Sequence, residues 1–201
     1  MFSRISRLQH RARLSNGLRR TSFPEDDANQ RGTDFNMATL QQLSERLASD
    51  PDGVLERIAA EYKVSTFEVV KALPASHRTL VPGSRFETLM DELRSWGEIL
   101  FIVHTPDIVL ECVGIIPKGT IGRGYFNLHG DSPIGGHIRF ENCTDIAFVS
   151  RPFMGRESRS IQFFNAGGDA MFKIFVRRDA ERKLLPEQVA HFDALQKKLA
   201  A

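Results

Sequence analysis

Phe163-Phe164-Asn165-Ala166-Gly167-Gly168-Asp169-Ala170-Met171-Phe172-Lys173-Ile174-Phe175-Val176 is the stretch that decides the fold class. Two runs of aromatic and β-branched residues flank a Gly-Gly pair, which is the pattern of a β-hairpin. Upstream, the same kind of short run recurs between turn residues. The candidate strands are Ile99–His104, Ile108–Val113, Gly124–Leu128, Gly136–Glu141, Asp145–Ser150, Ser160–Asn165 and Ala170–Arg177. Their short connections predict an antiparallel meander over residues 98–178. Downstream, Pro186 opens a helix within 184–201 whose apolar face is Val189, Phe192, Leu195 and Leu199.

Ahead of the strands, residues 37–97 read as mainly helical. Thr39, with Gln42 three residues on, predicts the start of a helix through Ala48, and Asp50-Pro51-Asp52-Gly53 predicts a turn. Val54, Ile58, Ala59 and Tyr62 mark one apolar helical face. Ser65 and Glu68 form a capping box for a further helix carrying Phe67, Val70 and Leu73, and Pro74 ends it. Ser84–Trp96 reads as another helix, stopped at Gly97. The expected class is therefore α+β: an antiparallel sheet meander with an N-terminal helical segment and a C-terminal helix, forming one domain over 37–201.

Residues 1–36 stand apart. They carry seven Arg and a net charge of +3, whereas the remainder is close to neutral at −1. They read as a disordered Arg-rich arm, with a short basic helix around Arg4, Arg7, Arg11 and Arg13, or as a stretch ahead of a true start at Met37. A nearly neutral body disfavours wholesale binding of nucleic-acid phosphates. No run approaches the roughly 18 apolar residues of a membrane span. Cys112 and Cys143 lie far apart, which supports neither a zinc site nor a disulfide framework and fits a reducing compartment. Fifteen Phe against two Tyr and one Trp predict a phenylalanine-rich core or apolar slot.

No nucleophile elbow, phosphate-binding glycine loop or paired-histidine metal motif is present. The histidines draw attention through strand alternation instead. His137, Arg139 and Glu141 share one predicted strand face, Tyr125, Asn127 and His129 share another, and His104 ends an apolar strand. Imidazoles near strand ends, with Arg nearby, suit a ligand needing both a metal-binding base and an anion partner.

Ordered blocks then narrow the reading. They are Leu-Pro-Ala-Ser at 73–76, Val-Pro-Gly at 81–83, Trp-Gly at 96–97, Val-His-Thr-Pro-Asp-Ile-Val-Leu-Glu from 103, Gly-Tyr-Phe-Asn-Leu from 124 and Gly-His-Ile from 136. Glu-Asn-Cys-Thr at 141–144, Phe-Met-Gly at 153–155, the hairpin from 163 and Leu-Leu-Pro-Glu-Gln-Val from 184 complete the set. From about residue 39 to the C-terminus the chain resembles the cytosolic haem-utilisation carrier family of the HutX and ChuX type. The resemblance implies a cytoplasmic, homodimeric, non-enzymatic protein that binds haem and hands it to a haem-degrading or haem-accepting partner. It implies that His104 and His137 are the candidate axial ligands to haem iron. Where relatives carry histidines before Gly-Tyr-Phe-Asn-Leu, this chain has Ile121 and Arg123. Arg123 and Arg139 are candidates for the propionates, Tyr125 for an oxygen ligand or ligand partner, and His129 is a reserve. Two other readings compete: a haem-degrading enzyme, and a helix-turn-helix nucleic-acid binder using residues 54–73.

Overall fold

The computed structural model describes residues 25–200, with side chains from Asn36 onward. Five α-helices are described: α1 (Glu25–Ser49), α2 (Leu55–Tyr62), α3 (Thr66–Ala72), α4 (Phe86–Leu93) and α5 (Pro186–Ala200). The strands are β1 (Arg78–Pro82), β2 (Glu98–His104), β3 (Val109–Ile115), β4 (Gly119–Gly122), β5 (Tyr125–Leu128), β6 (Gly136–Ile138), β7 (Cys143–Phe153), β8 (Arg156–Asn165) and β9 (Ala170–Phe175). The chain divides into two units, residues 1–36 and 37–201, and the second holds both sheets. Of the expected arm, residues 1–24, with the proposed basic helix, lie outside the described residues; residues 25–36 belong to α1. None of the described helices is long and apolar enough to cross a membrane.

The strands make two antiparallel sheets, not a single meander. Six strands run in the order β1-β7-β8-β9-β2-β3, and β4-β5-β6 form a separate three-stranded sheet. The hairpin over 163–176 forms as its residues predict. Gly168 N–H donates to Asn165 O at 2.9 Å, and Asn165 N–H donates to Asp169 O at 3.1 Å. Two strands escape the sequence pattern. β1 is a five-residue edge strand ending in Pro82, where a missing N–H costs nothing to the ladder. β4 carries Gly at both ends and has little apolar alternation to reveal it.

Strand alternation sorts side chains to the two faces of the large sheet. Phe163, Phe172 and Phe101 stack in a row, with centroids 4.2 Å apart for Phe163–Phe172 and 5.0 Å for Phe101–Phe172. Phe86 of α4 meets Phe163 and Phe126 edge to face, tying helix, large sheet and small sheet into one core. Phe192 and Leu195 of α5 are buried in the same cluster. Gln188 pins α5 further: its amide donates to Trp96 O and Glu98 O and accepts from Arg177 N–H.

On the opposite face, α1 to α3 pack Leu43, Leu47, Leu55, Ile58, Val69 and Val70 against Ala147, Val149 and Phe164. The Ser65–Glu68 capping box forms with both bonds in place, at 3.2 and 2.9 Å. Thr39, by contrast, is no helix start. α1 runs unbroken through it, because after Pro24 the chain meets Gly32 but no further proline before position 51. In the α2–α3 pair Val69 and Val70 are buried, Glu68 caps its own helix, and Lys71 lies over the Phe67 ring.

Gly168 has φ +79°, and a Cβ there would lie 2.4 Å from Ser65 Oγ. Its carbonyl also accepts from Phe67 N–H at 2.9 Å, so this turn clamps α3 to the sheet. Gly168→Ala is expected to destabilise the fold by about 1–3 kcal/mol, read as a melting temperature lowered by several degrees.

Candidate functional site

β2 alternates its side chains between two cavities. Leu100, Ile102 and His104 face one of about 510 Å³ under α2. Phe101 and Val103 face another of about 590 Å³, between the large sheet and the β6 region. His104 lines the first cavity and His137 the second. Both volumes lie in the range of small-molecule sites. Within one chain, therefore, the two candidate imidazoles serve opposite faces of the sheet.

The second cavity has apolar walls from Phe101, Val103, Leu110, Ile134 and Phe172, with His137 and Arg139 among its lining. Ser132 holds the wall in place: its hydroxyl donates to Ile115 O at 2.6 Å and accepts from Ile134 N–H at 3.1 Å. His137 pairs with Asn127 in the β5–β6 register, and its Nδ1 lies 2.7 Å from Asn127 Oδ1. Asn127 Nδ2 donates to the carbonyls of Thr120, Gly122 and Tyr125, which fixes the amide so that its oxygen faces the imidazole. In the neutral ring this contact favours the proton on Nδ1 and the lone pair on Nε2.

Tyr125 and His129 each meet the His137 ring edge to face, at 5.9 and 5.8 Å. The Arg139 guanidinium lies over the Tyr125 ring at 4.9 Å. The alternation that puts Tyr125, Asn127 and His129 together is thus realised. The predicted strand through Glu141 is not: β6 ends at Ile138, and a 3-10 turn over Phe140–Asn142 follows, closed by Asn142 N–H on Arg139 O. Arg139 reaches the cluster by stacking, while Glu141 leaves the face. Arg123 sits at the exposed tip of the β4–β5 turn, where it and Gly124 both have positive φ.

The first cavity contains a polar group that sequence reasoning did not find. His104 Nδ1 lies 3.3 Å from Glu56 Oε2, and Glu56 Oε1 pairs with Lys173 Nζ. The Lys173 side chain is only 6 % exposed. Burial pulls its pKa below the ordinary lysine value, and Glu56 opposes that pull. Arg151, also buried, donates to the carbonyls of Pro51, Gly53 and Pro152. The one signal in the sequence was Lys173 itself, a lone charge amid Met-Phe-Lys-Ile-Phe. Among the described residues, no three of His, Cys, Asp and Glu gather into a metal-holding group.

The chain belongs to the haem utilisation ChuX/HutX family, whose model matches residues 79–195, more than half its length. It is 40% identical over 157 residues to the intracellular heme transport protein HutX of Vibrio cholerae serotype O1, covering 78% of this chain and 81% of HutX. The solved structure of the heme binding protein ChuX is 46% identical, with a TM-score of 0.74, over 79% of this chain and 99% of that one. ChuS, described as an E. coli heme oxygenase, shares the fold at 13% identity and a TM-score of 0.60, over 69% of this chain and 42% of ChuS.

Both cysteines are free. Burial pushes the Cys143 thiol up to about 11, whereas Cys112 is half-buried and lines the His137 cavity. Treatment with iodoacetamide at pH 8 is expected to modify Cys112 well before Cys143, read by peptide mass spectrometry.

Proposed function

We propose that this protein is an intracellular haem carrier that binds haem through His137 and His104 and passes it to a haem-accepting or haem-degrading partner. The observation that carries the reading is the 2.7 Å contact of His137 Nδ1 with the Asn127 amide oxygen. Asn127 Oδ1 accepts from Nδ1–H, which leaves the Nε2 lone pair free in the neutral ring, and His137 lines an apolar cavity large enough for a flat hydrophobic ligand. Haem iron takes a neutral imidazole nitrogen, and an outer acceptor on the other nitrogen raises its basicity. Arg139, beside it, and Arg123, on the neighbouring turn, supply cations for the propionates. Tyr125 and His129 stand as alternative ligands against the His137 ring. Exchangeable ligands suit a carrier, whose handover is governed by its off-rate.

A carrier reading is favoured over a degrading enzyme because the relatives at 40–46% identity are described as transport and binding proteins, whereas ChuS lies at 13%. We further propose a homodimer. β3 is an edge strand that exposes Val109, Leu110, Val113 and Ile115, with Ile108 exposed just before it, and such an edge invites pairing. The coverage of less than half of ChuS fits two such chains doing the work of one longer one.

Haemin titration is expected to give a saturable Soret shift with no loss of the spectrum when a reductant is added. His137→Ala should weaken binding at least tenfold, about 1.4 kcal/mol. Haemin should also shield Cys112 from alkylation. An unchanged titration in both His137→Ala and His104→Ala would refute the ligand assignment, and bleaching with iron release would favour the enzyme. In sedimentation velocity the wild type should run as a dimer and Ile115→Asp as a monomer.

A further inference from the structure

The haem-carrier reading leaves one buried group without a task. Glu56, in the first turn of α2, faces Lys173 of β9 and His104 of β2 at once, one carboxylate oxygen to each. The side chains of His104 and Glu56 are 22% and 20% exposed, so the pairing sits largely out of water at the floor of the first cavity. Arg151 does not compete for the carboxylate, since its guanidinium is taken up by three backbone carbonyls. Gln162 stands opposite Lys173 in the β8–β9 register, with Oε1 buried and unpartnered.

We propose that Glu56, anchored by Lys173, is the positioning residue of His104: it accepts a hydrogen bond from Nδ1–H and so leaves Nε2 for haem iron. The argument is one of donors and acceptors. A carboxylate only accepts, so a neutral imidazole held against Oε2 carries its proton on the facing nitrogen. Nδ1 faces Glu56, and Nε2 therefore keeps the lone pair. Lys173 holds Oε1 and prevents the carboxylate from turning away. The contact parallels that of His137 with Asn127, with a charged oxygen at 3.3 Å in place of a neutral one at 2.7 Å. It rests on the reading of His104 as a haem ligand.

A plain structural pin between α2 and the sheet would also place these charges together, and one substitution separates the two roles. In Glu56→Gln, Lys173 is a donor and keeps the amide oxygen. The amide NH2 then faces Nδ1, which must become the acceptor, and the proton moves to Nε2. In Glu56→Gln/Lys173→Met the amide is free to turn its oxygen to His104, and the Nδ1–H form returns. The full chain without haem, at pH 8, is examined by long-range ¹H–¹⁵N NMR of the His104 ring. Nδ1–H is expected in the wild type, Nε2–H in Glu56→Gln, and Nδ1–H again in the double variant.

Haemin titration of the same substitutions in a His137→Ala background reads the consequence. Glu56→Gln should weaken binding about 10- to 100-fold, the usual range for loss of an outer partner, and the double variant should recover most of it. An Nε2–H wild type overturns the proposal, and so does an unchanged tautomer in Glu56→Gln. That wild-type measurement needs no variant to fold. If His104→Ala leaves haemin binding intact in the His137→Ala background, the haem reading of His104 falls instead. The NMR result still shows whether Glu56 orients the ring.

Discussion

Phe172 stacks between Phe163 and Phe101, and the rest of the molecule follows from that contact. Burying a phenylalanine contributes about 1.5–3 kcal/mol, so three rings in a row on β8, β9 and β2 commit one face of the sheet to the core. Because successive side chains point to opposite faces, the same commitment turns Gln162, Lys173, Ile102 and His104 the other way. A one-residue slip of β9 would exchange its two sets and put Lys173 into the aromatic core. The aromatic row thus sets the register that places both a buried cation and a candidate ligand on the helix-covered face.

That placement has a cost which the helical cap offsets. A buried ammonium without a partner is strongly unfavourable, and α2 delivers Glu56 to it. The turn before α2 is fastened to the sheet in its own way. Asp52 accepts from the backbone N–H groups of Met154 and Gly155 at 2.8 and 2.7 Å, which, with Gly155 as the largest cause, holds its carboxyl below the ordinary value. Arg151 reaches back to Pro51 and Gly53. The cap is positioned by polar contacts at its edge as well as by apolar packing beneath it.

The two cavities share a design although they lie on different faces. Each presents a histidine whose Nδ1 meets a fixed oxygen, neutral at His137 and charged at His104. In the proposed haem sites an outer acceptor raises the basicity of either imidazole, and a carboxylate does so more than an amide oxygen.

Much of this was legible locally. The Gly167-Gly168 turn, the Ser65–Glu68 cap, the face shared by Tyr125, Asn127 and His129, and the buried stripe of α5 all depend on neighbours within a few residues. Near-range geometry is encoded near-range. The ends of elements were less secure: α1 overran Thr39 and β6 stopped before Arg139, because a cap or a strand end is decided by what the chain does on both sides. The motifs around His104 and His137 named the residues, and neither motif contains its partner. Asn127 meets His137 through strand register, and Glu56 meets His104 from a helix 48 residues away along the chain. By itself the sequence determined the α+β class, the aromatic core and the two histidines. The tertiary structure decided that those histidines line cavities on opposite faces and which oxygen lies beside each ring, since such a contact depends on register and helix packing that no local pattern records.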